Sequence, residues 1–225
     1  MSPEHLPEAK PNSTPGSKID QLLESRRSVR KYISKAVPKE IIRSMVASAI
    51  TVPSPSNSQP VRSLQIVSKP IKDRLKKEME AGLEKLLNMA ERQEKSKKLR
   101  NVINYYWRHS IFMLDAPVLF AVGTMSQENS FSQRLKQADM LADNFRENID
   151  VDITTGLFLA AFILKAQEQG LGTCILTAPM IFIRNMDFLI NEKDLIIKCF
   201  VTAGFADEKP DPKKKLSIED VYDSV

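Results

Sequence analysis

The run from Asp152 to Gln169 constrains the fold of this chain more than any other. Eight consecutive residues at its centre, Leu157-Phe158-Leu159-Ala160-Ala161-Phe162-Ile163-Leu164, are apolar. A helix of that composition has no polar face for water, so it belongs in a core. It falls short of the ~18 apolar residues that a membrane span needs, and no other segment approaches that length. Gly170 supplies its C-terminal stop.

Periodicity places the other elements around this helix. Ser17-Lys18-Ile19-Asp20 has capping-box spacing, with an acid at the third helical position, and opens a short helix ending near Ser25. Pro38 reads as the first residue of a second helix. Its Ile41, Ile42, Met45, Val46, Ala49 and Ile50 recur at helical spacing, and Pro53 and Pro55 stop it. Ser63 to Ser68 alternates like a strand. A polar helical stretch follows from about Ile71 to Ser110, with a break near Arg92 to Ser96. Ala116 to Gly123 and Leu195 to Phe205 are apolar runs that read as buried strands, and Thr173 to Thr177 as a short one. Phe131 to Asn148 and Pro179 to Ile190 read as helices. The expected fold is α+β, with a central, mostly antiparallel sheet covered by helices on both faces.

Length and composition bound the rest. A chain of 225 residues suits one domain, or one subunit of a dimer. Residues 1–16 hold four prolines and few apolar side chains. They read as a disordered tail rather than a signal peptide, ahead of a single domain over 17–225. Two cysteines and two histidines offer no metal-ligand spacing, so no metal site is expected. Buried thiols without a disulfide framework fit the cytoplasm. The net charge of +5 permits an anionic ligand. Nucleic acid is not expected, because the lysines after Lys69 alternate with Glu78, Glu80, Glu84, Glu91 and Glu94, which repel phosphates.

Four short constellations can carry chemistry. Arg26, Arg27, Ser28 and Arg30 place three guanidiniums and a hydroxyl within five residues, a set that suits a phosphate dianion. Alone, the same run describes a basic helix end. The loop Pro53-Ser54-Pro55-Ser56-Asn57-Ser58-Gln59-Pro60 offers uncharged donors and acceptors at Ser54, Ser56, Asn57 and Gln59 that fit the edge of a heteroaromatic ring. It also fits an ordinary polar turn. Gly170-Leu171-Gly172-Thr173-Cys174-Ile175-Leu176-Thr177-Ala178 lets backbone approach a flat ligand at a strand end, or simply connects helix to strand. Lys213, Lys214 and Lys215 follow Pro210 and Pro212, where a lone charge run is commonly a solvated tail.

Together, in this order, these segments resemble the nitroreductase family of FMN-dependent enzymes. The matching text is RRSVRKY, VPKEIIRSMVASAITVPSPSNSQP, APVLFAVG, DITTGLFLAAFILKAQEQGLGTCILTAP and TAGFADEKPDPKKKLSIEDV, spanning roughly Ile19 to Val221. The layout, with helical residues inserted before APVLFAVG, also looks like the iodotyrosine-deiodinase branch. The resemblance implies a nitroreductase-like fold, FMN as cofactor and an intertwined homodimer with a site shared between subunits. The apolar helix then gains a shared core.

By resemblance, Arg26 and Ser28 contact the phosphate and ribityl chain, and Arg27 stands beside them. Arg30 approaches the pyrimidine side of the flavin, where a cation favours the charge that develops on reduction. Pro53, Ser54, Ser56, Asn57 and Gln59 form a cofactor-binding loop, with Ser54 and Asn57 coming from the partner subunit. Leu176, Thr177 and Ala178 offer backbone to the N5 edge, and one or two of Lys213, Lys214 and Lys215 close on the phosphate. The implied reaction is ping-pong: NAD(P)H reduces the flavin and leaves, and a small aromatic acceptor such as a nitroarene or quinone takes the electrons. The flavin carries that chemistry, so no catalytic side chain is assigned. Reductive dehalogenation of halophenols and flavin binding without turnover are the alternatives.

Three departures stand out: Val61 where many relatives carry an aromatic residue, Gly204-Phe205-Ala206 for Gly-Tyr-Pro, and lysines for a C-terminal arginine. The C-terminal extension covers about 206–225. The inserted segment, about 69–110, is the least family-like part. Its few apolar residues predict a loosely packed lid, and Tyr106 and Trp107, with Tyr105 beside them, would stack on a flat substrate.

Overall fold

The computed structural model describes residues 16–125, 131–141, 149–190 and 195–224. The elements run α1 (Lys18–Ser25), α2 (Lys39–Ala49), β1 (Val61–Gln65), α3 (Lys69–Glu91), α4 (Ser96–Ile111), β2 (Val118–Met125), α5 (Phe131–Gln137), α6 (Ile149–Glu168), β3 (Gly172–Leu176), α7 (Pro179–Phe182) and β4 (Leu195–Gly204). The four strands form one antiparallel sheet in the order β1-β2-β4-β3. The α+β expectation, with helices on both sheet faces, holds.

Alternation along β2 sorts its side chains. Val118, Phe120 and Val122 face α2 and α6, where they meet Met45, Phe158 and Phe162. Leu119 and Ala121 face the opposite way, toward Leu75, Met79 and Phe182 of α3 and α7. β4 does the same with an interruption. Cys199, Val201 and Ala203 join the α6 side, while Leu195, Ile197 and Phe200 join the α3 side. The parity changes because the register slips: Val122 pairs with Cys199 but Gly123 pairs with Ile197, leaving Lys198 as a bulge. A bulge adds one residue to one strand and reverses the alternation beyond it. Lys198 uses its position to reach Asp152 at 3.0 Å.

α6 is the helix the sequence demanded. Val151, Thr154, Phe158, Phe162 and Ala166 are buried along one side. Gly170, at φ +75°, ends it: Leu171 N–H donates to Ala166 O (2.9 Å) and Gly170 N–H to Gln167 O (3.0 Å). This pair of bonds closes a helix through a left-handed glycine. At the other end of the chain, Ser17 Oγ accepts from Asp20 N–H at 3.2 Å and donates to the Asp20 carboxylate at 2.6 Å. The acid thus reaches the cap hydroxyl.

Several boundaries differ from expectation. Pro38 is the N-cap, with helix starting at Lys39. β1 runs two residues earlier than expected, since Met125 N–H donates to Pro60 O. A 3-10 turn over Phe112–Asp115 delays β2 by two. The helix expected from Phe131 to Asn148 stops at Gln137, where Asp139 turns left-handed at φ 54°; residues 142–148 lie outside the described residues, as does the tail over 1–15. The helix expected from Pro179 to Ile190 is one turn, α7, followed by a 3-10 turn at Asp187–Leu189. Ile183 is extended and buried, and the Asn185 side chain accepts from Asp187 N–H at 2.7 Å, competing with helical bonding.

The inserted segment breaks at residues 92–95 and forms the α3–α4 pair, but it does not pack loosely. Leu75 and Met79 are fully buried. Gly82 lies so close to α7 that a Cβ there would overlap the carbonyl of Phe182. Each helix of the pair contacts α7.

A seam joins the N-terminal segment to the sheet. Val29 N–H donates to Thr173 O (2.9 Å), Ile33 N–H to Phe205 O (3.0 Å) and Asp207 N–H to Lys31 O (2.9 Å). Tyr32 locks it: its hydroxyl donates to Val29 O at 2.6 Å and lies 2.8 Å from the Thr202 hydroxyl. With its single proton committed, Tyr32 accepts from Thr202. Burial pushes the Tyr32 phenol well above its ordinary range, against a smaller downward pull from Thr202.

Two outcomes follow. Gly82→Ala should destabilise the fold by roughly 1–3 kcal/mol, because backbone must move to admit the methyl group; urea denaturation measures this. A phenol whose pKa rises on folding stabilises fully below its ordinary pKa, and that contribution is lost as pH rises toward the folded value. Ultraviolet titration should therefore show one of the four tyrosines ionising late, together with alkaline unfolding. Tyr32→Phe should abolish that late step.

Candidate functional site

The segment after α1 carries its basic residues at the seam. Arg26 caps α1, its N–H donating to Leu22 O at 3.1 Å. The Arg27 guanidinium turns back, donating to the carbonyls of Glu24 (2.5 Å) and Arg26 (2.8 Å). It therefore serves the negative end of the helix dipole. Ser28 pairs with Thr173 of β3. Arg30 is exposed.

The chain returns to this place nearly two hundred residues later. Arg26, Arg27, Ser28 and Arg30 share a cavity of about 500 Å³ with Lys213 and Lys215. Lys214 is exposed and does not line it. Side chains alternate along an extended chain, so alternate lysines reach the cavity. Pro210 and Pro212 shape its wall, and Glu24 and Asp211 add two carboxylates against five cations. A volume of that size is ample for a small ligand, and the excess of cations selects an anion.

The loop after α2 lies elsewhere in the molecule. Ser54 and Gln59 line a second cavity of about 110 Å³ between α2 and α6, beside Val52 and Phe158. Its backbone is unusual: Ser56, Asn57 and Gln59 have φ of 50°, 52° and 45°. Left-handed backbone disfavours residues other than glycine and asparagine, so Ser56 and Gln59 are strained. Local bonds hold them. Gln59 N–H donates to Ser54 Oγ at 3.0 Å, and Gln59 Nε2 to Asn57 Oδ1 at 3.1 Å. Pro53 is exposed, as are Ser56 and Asn57.

At the far end of β3, Leu176 is buried, Thr177 exposed and Ala178 half-buried. Three residues, or about 10 Å of strand, separate Leu176 from Thr173, the partner of Ser28. Trp107 packs edge-on against Phe182 at 5.5 Å between ring centres, within the cluster beneath α3 and α4. Tyr106 is 45% exposed and meets Tyr105 edge-on at 5.4 Å.

The structure thus joins the two basic segments, the first and fourth constellations, in one cavity and ties the first of them to β3. It does not bring the Pro53–Gln59 loop to that cavity. Sequence reasoning gave no role to Tyr32 or to Glu208, whose carboxylate accepts from the backbone of Arg30 and Lys31. Those bonds cross almost the whole chain, and no spacing rule signals them. Cys174 and Cys199 are buried; burial raises both thiols, Cys199 to about 12. Among the described residues no helix is long and apolar enough to cross a membrane.

The sequence profile of the Nitroreductase family matches residues 23–205. No curated protein matches the chain. Among solved structures, a BluB-like flavoprotein from Clostridium difficile 630 superposes with a TM-score of 0.80 at 20% identity, covering 93% of this chain and all of that one. A nitroreductase with bound FMN from Desulfitobacterium hafniense DCB-2 superposes at 0.66 and 17% identity, covering 93% and 99%. The FMN and NADPH-dependent nitroreductase NfnB from sphigopyxis sp. strain HMH superposes at 0.64 and 16% identity, with the same coverages. With the profile matching most of its length and this fold in common, the chain belongs to the nitroreductase family.

Proposed function

We propose that this protein binds one FMN per subunit and transfers electrons from NAD(P)H to a small aromatic acceptor. The observation that carries the reading is the cationic cavity, assembled beside β3 from Arg26, Arg27, Ser28, Arg30, Lys213 and Lys215. The donor set fits a phosphate monoester, and the chain holds no Gly-x-Gly-x-x-Gly loop for a dinucleotide pyrophosphate. A ligand with its phosphate there and its ring along β3 reaches Leu176, Thr177 and Ala178.

Bound FMN supplies the hydride and electron transfer; the side chains hold it. Arg26, Lys213 and Lys215 pair with the phosphate and Ser28 bonds to it or to the ribityl chain. Arg30 stands toward the pyrimidine, where a fixed cation favours the reduced, anionic ring. Ser54 and Asn57, remote from this cavity within the subunit, come from a second copy.

That copy is supported by exposed apolar surface. Ile149, Ile153 and Leu157 of α6 are 47%, 58% and 40% exposed and follow one another at i, i+4 and i+8, with Gly156 and Ala160 also exposed. In the C-terminal extension Leu216, Ile218, Val221 and Tyr222 project with about 70% exposure. Contiguous apolar patches of this kind mark contact surfaces, and a twofold dimer covers both at once. The α3–α4 pair, with Tyr106 open, sets the choice of acceptor.

A visible absorbance scan of purified protein, followed by heat release, should give FMN at one per subunit; FAD, or colourless protein that takes up no FMN, would refute the reading. Arg26→Ala should weaken FMN binding about 10- to 150-fold, the loss of roughly 1.5–3 kcal/mol from one charge-assisted bond. An unchanged dissociation constant would show Arg26 to be surface charge. Leu157→Glu should yield a monomer in sedimentation with FMN content well below one per subunit. A monomer that keeps its full complement would contradict the shared site.

A further inference from the structure

The N-terminal segment changes partners between Val29 and Tyr32. Val29 bonds to β3, and Lys31 O and Ile33 N–H bond to the chain leaving β4. The N–H groups of Arg30 and Lys31 fall in the gap between these two ladders. Both donate to a single carboxylate oxygen, Oε1 of Glu208, at 2.5 and 3.1 Å. Glu208 is half-buried and stands two residues before Pro210, where the strap begins to line the cationic cavity. The two prolines of the strap restrict its backbone, so the chain direction at Glu208 carries through to Lys213 and Lys215.

We propose that Glu208 is a positioning residue that clasps the two basic segments together through the backbone of Arg30 and Lys31, so that Arg26 and the strap lysines converge on one phosphate. This rests on the FMN reading above. On charge alone the Glu208 carboxylate would repel an anion bound beside it. Glu208 nevertheless favours anion binding, because it fixes where the cations stand. Charge and geometry therefore predict opposite signs for its removal.

Three variants separate them. Glu208→Asp keeps the charge but shortens the arm by about 1.5 Å. Glu208→Ala removes both charge and acceptor. Glu208→Gln keeps a carbonyl acceptor without the charge. The probes are FMN and riboflavin, which share a ring but differ by the phosphate, with dissociation constants taken from flavin fluorescence. The clasp predicts that Ala and Asp weaken FMN roughly tenfold, the usual scale for a charge-assisted bond. Riboflavin should stay within about twofold, and Gln should bind FMN as tightly as the wild type or more so. Tighter FMN binding by Ala and Gln, with Asp unchanged, would make Glu208 only a charge. A parallel loss of both flavins would make it merely structural. Either result overturns the proposal.

Amide hydrogen exchange at Arg30 and Lys31 reads the clasp without any flavin. Exchange should quicken in Ala and Asp but not in Gln. A wild type that binds neither flavin would sink the cofactor reading, and with it the proposed role in phosphate binding. Unchanged exchange in Glu208→Ala would remove the clasp itself.

Discussion

The structure depends on β4 being buried on both faces. Each of two hydrophobic clusters takes its floor from this strand and from β2 beside it. Apolar burial is the dominant favourable contribution to folding, and a strand shared between two clusters makes them one cooperative unit. The bulge at Lys198 is what permits the sharing. Without the extra residue, strict alternation would put Leu195 and Ile197 on the α6 side and leave the α3 side thin at that end. The α3–α4 pair, which looks like an appendage in sequence, is thereby anchored on the same strand as α6.

The candidate site sits where this core runs out of strands. β3 is an edge, and an edge strand leaves backbone groups in need of partners. Here the segment after α1 supplies them through Ser28 and Val29, and the chain after β4 completes the seam through Ala206 and Asp207. Arginines and lysines cluster there because two chain segments of basic composition end on one edge. Their mutual repulsion costs stability unless a counter-charge is present. Glu24, Asp211 and Glu208 temper it, and an anionic ligand would relieve it further.

Much of this was legible in the residues. α6 and its glycine stop follow from a long apolar run and one Gly. α2 follows from six apolar residues at helical spacing. The buried strands follow from unbroken apolar runs, though their ends moved by two residues wherever a 3-10 turn or a backbone bond from Pro60 intervened. Helix ends after Gln137 and Phe182 were not legible, because Asp139 and Asn185 act through local conformations that periodicity does not register. In the site, the basic run at Arg26 and the lysines at 213–215 were visible as composition. Their meeting, the duty of Arg27 at a helix end, and the bonds of Tyr32 and Glu208 depend on contacts between opposite ends of the chain. The inserted segment has few apolar residues, the composition of a loose lid, yet it packs tightly. Leu75, Met79 and the closeness of Gly82 to Phe182 show that a few well-placed contacts suffice.

The two thiols have a consequence of their own. Oxidation of cysteine proceeds through the thiolate, and burial holds Cys199 at about 12 and raises Cys174 as well. Cys174 lies on the edge strand β3 and Cys199 on the central strand β4, beneath helices on opposite faces. An oxidant formed near the sheet meets neither as an anion, so the first step toward sulfenic acid is closed while the sheet is intact. Damage then requires the strands to separate. Oxidation found at either sulfur would thus report that the sheet had opened.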